Sequence, residues 1–213
     1  MTTDSSTQEE TEEPPFRIKQ ISFEKSASRN SHFPKEPELP QVAFTGRSNV
    51  GKSSLLNSIA NRKQLAHVSS TPGRTQLVNF FIVNDVLRLV DLPGYGFAKA
   101  PIEVKKTWGQ MITGFLKNNT QLRLVFTLFD VRRDLNDEDR QLLTWLGFYG
   151  ITAVAVITKI DKLTRSEQTK TISTLSSVLK SYGVDAVIPY SIKQPEPGRS
   201  QLMAYLGAVA KTD

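Results

Sequence analysis

From residue 41 onward, apolar and polar positions alternate between two rhythms, one suited to buried strands and one to amphipathic helices. QVAFT (41–45) is a short apolar strand, and the glycine-rich GRSNVG that follows leads into a helix over roughly 52–61. LVNFFIVN and DVLRLVD read as two strands joined at Asn84-Asp85. A helix over roughly 102–118 follows, with Trp108, Met111, Ile112 and Phe115 at helical spacing. QLRLVFTLFD and ITAVAVITKID are apolar enough to be strands covered on both faces. Between them Asn136-Asp137-Glu138-Asp139 opens a helix, its acids suiting the positive end of the helix dipole. Ser166 is expected to cap a helix reaching about Ser181, DAVIPYS is the last strand, and a helix near 200–210 closes the chain. Upstream, FRIKQISFE alternates like a strand at a sheet edge, and Pro34, Pro37 and Pro40 mark a connector.

This alternation predicts an α/β fold of three layers: a mainly parallel six-stranded sheet with helices on both faces. Ligand sites in such sheets lie at the carboxyl ends of the strands. Residues 1–15 are rich in Thr, Ser and Glu and end in Pro14-Pro15, so they are expected to form a disordered acidic tail ahead of a single domain over 16–213.

Composition narrows the setting. The chain has no cysteine, which excludes disulfides and thiolate metal sites and fits a reducing cytoplasm. No run approaches the ~18 apolar residues of a membrane helix, and the acidic N-terminus is unlike a secretory signal. A cytoplasmic protein with no membrane partner is therefore expected. The net charge of +6 hides an asymmetry, because the first 15 residues hold five acids and no base. The remainder carries all 27 basic residues against 16 of the 21 acids. A body that basic attracts polyanions such as RNA, although solubility or a phosphorylated ligand would account for the same excess.

The candidate chemistry begins at Gly46-Arg47-Ser48-Asn49-Val50-Gly51-Lys52-Ser53, a phosphate-binding loop set between a strand and a helix. Its glycines let several N–H groups face one concavity, and the helix behind adds its positive end. Lys52 can neutralise the outer phosphates and Ser53 can ligate Mg²⁺, with Ser54 beside it in the nucleotide-binding set. Asp91-Leu92-Pro93-Gly94 follows an apolar strand. Asp91 can hold a metal-bound water, and Gly94 can bring its N–H close to a γ-phosphate. Between these motifs lies STPGRTQ, where Gly73 and Thr75 join the nucleotide-binding set. Thr75 is the preferred hydroxyl for reaching Mg²⁺ when γ-phosphate is present, with Thr71 as the alternative. Thr158-Lys159-Ile160-Asp161 ends a strand. A carboxylate at Asp161 can accept hydrogen bonds from guanine N1–H and its amine, which adenine cannot offer, so GTP is favoured over ATP. The Lys159 stem can lie along the base, and Ser191-Ile192-Lys193 can present N–H groups to guanine O6.

These motifs, in this order, resemble those of translation-factor-type GTPases. GRSNVGKSSLLN, TPGRTQLVNFF, DLPGYGFAKAP, TKIDKL and SFEKSA…LPQVAF more narrowly resemble the EngB (YihA/YsxC) type of bacterial ribosome-biogenesis GTPase, over roughly residues 16–210. The resemblance implies the P-loop GTPase fold, with GTP/GDP and Mg²⁺ bound. It also implies action on the large ribosomal subunit or its precursor, with rRNA contact, release after hydrolysis and no DNA partner. A monomer is the default expectation. Basic candidates for RNA contact are Arg123, Arg132, Arg133, Lys162, Arg165 and Lys170.

Several departures and details refine this expectation. Tyr95 stands where many GTPases carry a water-orienting Gln, so slow intrinsic hydrolysis, accelerated by a partner, is expected. Asn49 occupies the position seen in K⁺-activated GTPases, and its amide oxygen can help hold K⁺ near the phosphates. Thr158 stands where Asn is frequent, which predicts a less tightly braced loop and modest affinity; Ile192 stands where a small residue is frequent. Finally, Asp130 and Asp134 with Arg132 and Arg133 read as a solvated turn, Trp108 and Trp145 as packing, and His32 and His67 as loop residues. A binding module gated by nucleotide, with negligible hydrolysis, is the alternative to an enzyme.

Overall fold

The computed structural model describes residues 15–62, 65, 77–96 and 101–212. Its strands are β1 (Ile21–Ala27), β2 (Gln41–Gly46), β3 (Val78–Val83), β4 (Leu87–Asp91), β5 (Leu122–Asp130), β6 (Thr152–Thr158) and β7 (Ala186–Pro189). The helices are α1 (Lys52–Ile59), α2 (Ile102–Asn118), α3 (Asp137–Phe148), α4 (Arg165–Ser181) and α5 (Gly198–Ala210). The seven strands form one sheet in the order β1-β3-β4-β2-β5-β6-β7. Pairing is parallel from β4 through β7 and antiparallel for β1–β3 and β3–β4. The sheet is thus mainly parallel, but it has seven strands where six were expected, because β1 adds itself to the free edge of β3.

Side chains on a strand point alternately to opposite faces, and the two cores follow that period. Ala43, Val125, Phe129, Ala155 and Ile157 face the core made by α2, α3 and α4. Val42, Phe44, Phe126, Val154 and Val156 face the core made by α1 and α5. Strands buried on both faces need continuous apolar sequence, which is why β2, β5 and β6 stand out as unbroken runs.

The N-terminal stretch departs from its expected position. Residues 17–20 do not extend the edge strand; they wrap the Asn84 side chain instead. Asn84 Oδ1 accepts from the Lys19 and Gln20 N–H groups, and its amide donates to the Arg17 carbonyl. Phe16 then seats on α5, where a Cβ on Gly207 would lie 2.7 Å from the Phe16 Cβ. Strand β1 begins only at Ile21. Beneath it Arg88, fully buried on β4, donates to both carboxylate oxygens of Glu24 at 2.8 and 3.0 Å. The cap of α4 is Thr164 and not Ser166: Thr164 and Glu167 bond each other's backbone N–H groups in a reciprocal box.

Candidate functional site

Four loops that follow strands meet at the carboxyl edge of the sheet. The first is the loop after β2. Gly46 sits so tightly that a Cβ would come within 2.9 Å of both the Leu128 carbonyl and Val50. Asn49 (φ 64) and Gly51 (φ 108) take left-handed backbone, which curls the loop before α1 starts at Lys52. Ser53 and Ser54 occupy the first turn of α1. Asn49 is exposed, and its carbonyl accepts from Lys159 Nζ at 2.6 Å.

The second loop carries Asp91 to Gly94. Asp91 is buried at the end of β4 and its carboxylate pairs with the Lys52 ammonium. Gly94 lies against the first loop: a Cβ there would be 3.3 Å from the Gly46 carbonyl and from Ser48 Oγ. Ser48 N–H donates to the Tyr95 carbonyl at 2.7 Å, and Tyr95 N–H donates to Gly46 at 3.3 Å, so the two loops form a short parallel bridge. Trp108 is packing, as expected; it rests on the Tyr95 ring and its indole N–H donates to the Pro93 carbonyl at 3.0 Å. Thr71, Gly73 and Thr75, together with His67, lie outside the described residues.

The loop after β6 carries the base-reading candidates. Asp161 Oδ1 accepts from the Ser191 hydroxyl at 2.9 Å, and that hydroxyl in turn accepts from the Lys193 N–H at 3.1 Å. Lys193 and Lys162 ammonium groups stand 3.9 Å from Asp161 Oδ2. Ser191 is buried, whereas Ile192 and Lys193 are exposed beside it. Lys159 bridges this loop to the phosphate loop, reaching Asn49 and, at 3.0 Å, Asp130.

Thr158 reaches the phosphate loop with a single hydroxyl: buried, it lies 2.7 Å from the Val50 carbonyl and 3.1 Å from that of Phe129. A hydroxyl carries one proton, so it serves one carbonyl at a time, but an amide is not required to tie the loops together. Asp130 is not part of a solvated turn. It is buried, bonded by the Arg132 guanidinium at 2.9 and 2.7 Å, and paired with Lys159. Burial opposes its ionisation, yet the Arg132 and Lys159 hydrogen bonds outweigh that and hold the carboxyl far below the usual range. Sequence reasoning missed this link. The signal available was an aspartate ending an apolar strand one strand away from TKID.

Tyr95 is likewise engaged. Its hydroxyl donates to Asp139 Oδ1 at 2.8 Å within the core. Burial, reinforced by the Asp139 charge and hydrogen bond, pushes the phenol well above its ordinary pKa. Burial also raises the Asp139 carboxyl, against the pull of the Asn136 N–H, the Tyr95 hydroxyl and Arg47.

The site's donor set suits a phosphate ester with a hard cation. Lys52 and a helix start are present for the phosphates, and Ser53 and Asp91 offer oxygen ligands of the kind Mg²⁺ takes. The buried Asp91 carboxylate is already matched by a positive charge, Lys52, which shows that its surroundings accept a cation.

Of the basic candidates, Arg132, Arg133, Lys162 and Arg165 are exposed beside the carboxyl ends of β5 and β6, next to the loop that carries Asp161. Arg123 lies at the opposite end of β5, where it bonds the Thr120 carbonyl, and Lys170 lies along α4. The sheet therefore gathers four of the six on one rim.

Comparison with known proteins adds an independent line. A sequence model of the 50S ribosome-binding GTPase family matches residues 41–175. A probable GTP-binding protein EngB of Geobacter metallireducens is 49% identical over 164 residues, covering 77% of this chain and 80% of that protein. The Geobacter sulfurreducens protein of the same description is 46% identical over 192 residues, covering 90% and 92%. In three dimensions the chain is similar to a crystal structure of a probable GTP-binding protein EngB, with a TM-score of 0.64 at 22% identity over 80% of this chain and 98% of that one. It is also similar to a bacterial selenocysteine-specific elongation factor (TM-score 0.58, 13% identity, 82% of this chain and 29% of that one). At those identities the structural likeness speaks to fold.

Proposed function

The chain belongs to the EngB family of GTP-binding proteins, within the 50S ribosome-binding GTPases, and from that premise we propose how its own residues bind GTP, hydrolyse it and report the outcome to a ribosomal partner. The observation that carries this reading is the joining of three loops by Lys52–Asp91, Lys159–Asn49 and Thr158–Val50 at one sheet edge. Phosphates are held by the curled backbone of Gly46–Ser54 and by Lys52, which exchanges its Asp91 partner for phosphate oxygens. Ser53 and Thr75 would hold Mg²⁺, with Asp91 supporting it through a bound water, and the ion would neutralise phosphate charge. Gly94 offers its N–H to the γ-phosphate, and Gly73 joins Thr75 in the nucleotide-binding set. Asp161, fixed by Ser191, reads guanine, while Thr158, Lys159, Ile192 and Lys193 complete the base pocket. One domain from residue 16 onward carries all of this.

Intrinsic hydrolysis is slow, because the side chain after Gly94 is a phenol committed to Asp139 and cannot orient water. The partner is the large ribosomal subunit or its precursor. Arg132, Arg133, Lys162 and Arg165 are placed to meet rRNA beside the nucleotide, with no membrane or DNA involved and the protein acting as a cytoplasmic monomer. Asn49, exposed in the phosphate loop, would hold K⁺ through its amide oxygen.

Multiple-turnover phosphate release with and without large subunits, in K⁺ and in Na⁺ at matched ionic strength, tests the reading. Stimulation by subunits, greater in K⁺, is the expected result. Turnover indifferent to subunits would leave a nucleotide-gated binder and contradict the assembly role; equal rates in the two salts would remove the K⁺ site.

A further inference from the structure

The segment after Gly94 is held from below by α3, a contact that the nucleotide site does not itself require. Tyr95 is 3% exposed and its hydroxyl ends on Asp139, which is 1% exposed. Asp139 also closes the reciprocal cap of α3 with Asn136, its Oδ2 accepting from the Asn136 N–H at 2.9 Å. The same oxygen lies 3.9 Å from Arg47 Nη1, so the second residue of the phosphate loop feels the same carboxylate. Gly96, at φ 72, is clasped between two side chains: a Cβ would lie 3.2 Å from both Arg47 Nε and Glu138 Oε2. A narrow cleft lined by Arg47, Ser48, Phe129, Arg133 and Asp139 separates the phosphate loop from the start of α3. One buried carboxylate therefore lies under both loops whose spacing fixes Gly94.

We propose that Asp139 is a positioning residue for GTP: through the Tyr95 hydroxyl and the Arg47 guanidinium it sets Gly94 against the phosphate loop. This rests on the reading of Gly94 as the γ-phosphate contact. The physical reason is rigidity. Gly94 has no side chain to anchor it, so its N–H direction is set by its neighbours. Tyr95 is fixed at three points: its N–H on Gly46, its carbonyl on Ser48 and its hydroxyl on Asp139. The first two are backbone bonds within the pair of loops. The third ties them to α3, as the Trp108 indole ties Pro93 to α2, and a side-chain change removes it without touching either backbone bond.

GDP lacks the γ-phosphate, so its affinity does not depend on Gly94. Tyr95→Phe and Asp139→Ala, each of which removes one partner of the bond, should therefore weaken a non-hydrolysable GTP analogue about tenfold, the scale of one lost buried hydrogen bond. GDP affinity should stay within about twofold. The double variant should match either single one, because the two residues act as a pair. A second readout needs no nucleotide. Trp108 packs on the Tyr95 ring at 4.9 Å, so in a Trp145→Phe background its emission should become more accessible to acrylamide when the pin is cut. Asn136→Ala weakens the α3 cap without touching Tyr95 and serves as the stability-matched control. Equal losses for GDP and the analogue, additive effects in the double variant, or the same selective loss in Asn136→Ala would each overturn the proposal. Wild-type titration with GDP is done first, so that failure of the nucleotide site itself is seen separately.

Discussion

At the residue scale, the candidate site is a set of polar groups that satisfy one another at loop ends. Thr158 shows how small the connecting element can be: one hydroxyl ties the end of β6 to the phosphate loop through the Val50 carbonyl. Thr158→Val keeps the shape and removes the bond. It should lower stability by about 1 kcal/mol and weaken GDP and GTP alike by several-fold, read by thermal unfolding and nucleotide titration. A loss confined to GTP would show that Thr158 acts elsewhere. The phosphate-loop residues, Asp91, Gly94 and Asp161 were all legible in the sequence, because each belongs to a motif with fixed spacing around a strand end. The roles of Tyr95, Asp139 and Asp130 were not. Tyr95 and Asp139 are 44 positions apart, and nothing in their local sequence says that a phenol beside a glycine loop points into the core.

Among the elements, the two rhythms of the sequence translated into structure with few changes. The apolar runs of β2, β5 and β6 are buried strands, and the spacing of Trp108, Ile112 and Phe115 is a helix face on the sheet. The misses occurred where a tertiary contact outweighed a local preference. The alternation in FRIKQISFE predicts a strand from residue 16, but Asn84 claims the backbone of 17–20, so pairing starts at Ile21 and runs to Ala27. The cap of α4 was a choice between two hydroxyls. Glu167, three residues after Thr164, decides it by closing the box. The edge strand is also anchored by charge. Arg88 is completely buried, and Glu24, whose side chain keeps 16% exposure, neutralises it with two hydrogen bonds. Glu24→Ala should cost about 3 kcal/mol by leaving that cation unpaired, whereas replacing Arg88 and Glu24 together with apolar residues should cost much less. Urea denaturation of the three proteins measures this; equal losses would mean that packing and not charge holds β1.

Over the whole molecule, nucleotide site and basic rim share the carboxyl edge of one sheet. That is the expected place for loops with function in a parallel sheet, and it sets the nucleotide-binding loops and four exposed basic residues side by side. Removing Arg133 and Arg165 should weaken binding to large subunits across all salt concentrations and flatten the logarithmic salt dependence by about one unit of slope per lost phosphate contact. Arg123, at the other end of β5, should leave that slope unchanged. Base recognition is the most exposed part of the account, because it assigns nucleotide choice to a single carboxylate. Displacement of a fluorescent GDP analogue by GDP, GTP, ATP and xanthosine diphosphate, for the wild type and Asp161→Asn, tests it directly. The account predicts that only guanine nucleotides compete for the wild type and that the variant turns towards the xanthine nucleotide. ATP competing as well as GTP, or a variant with unchanged preference, would contradict it.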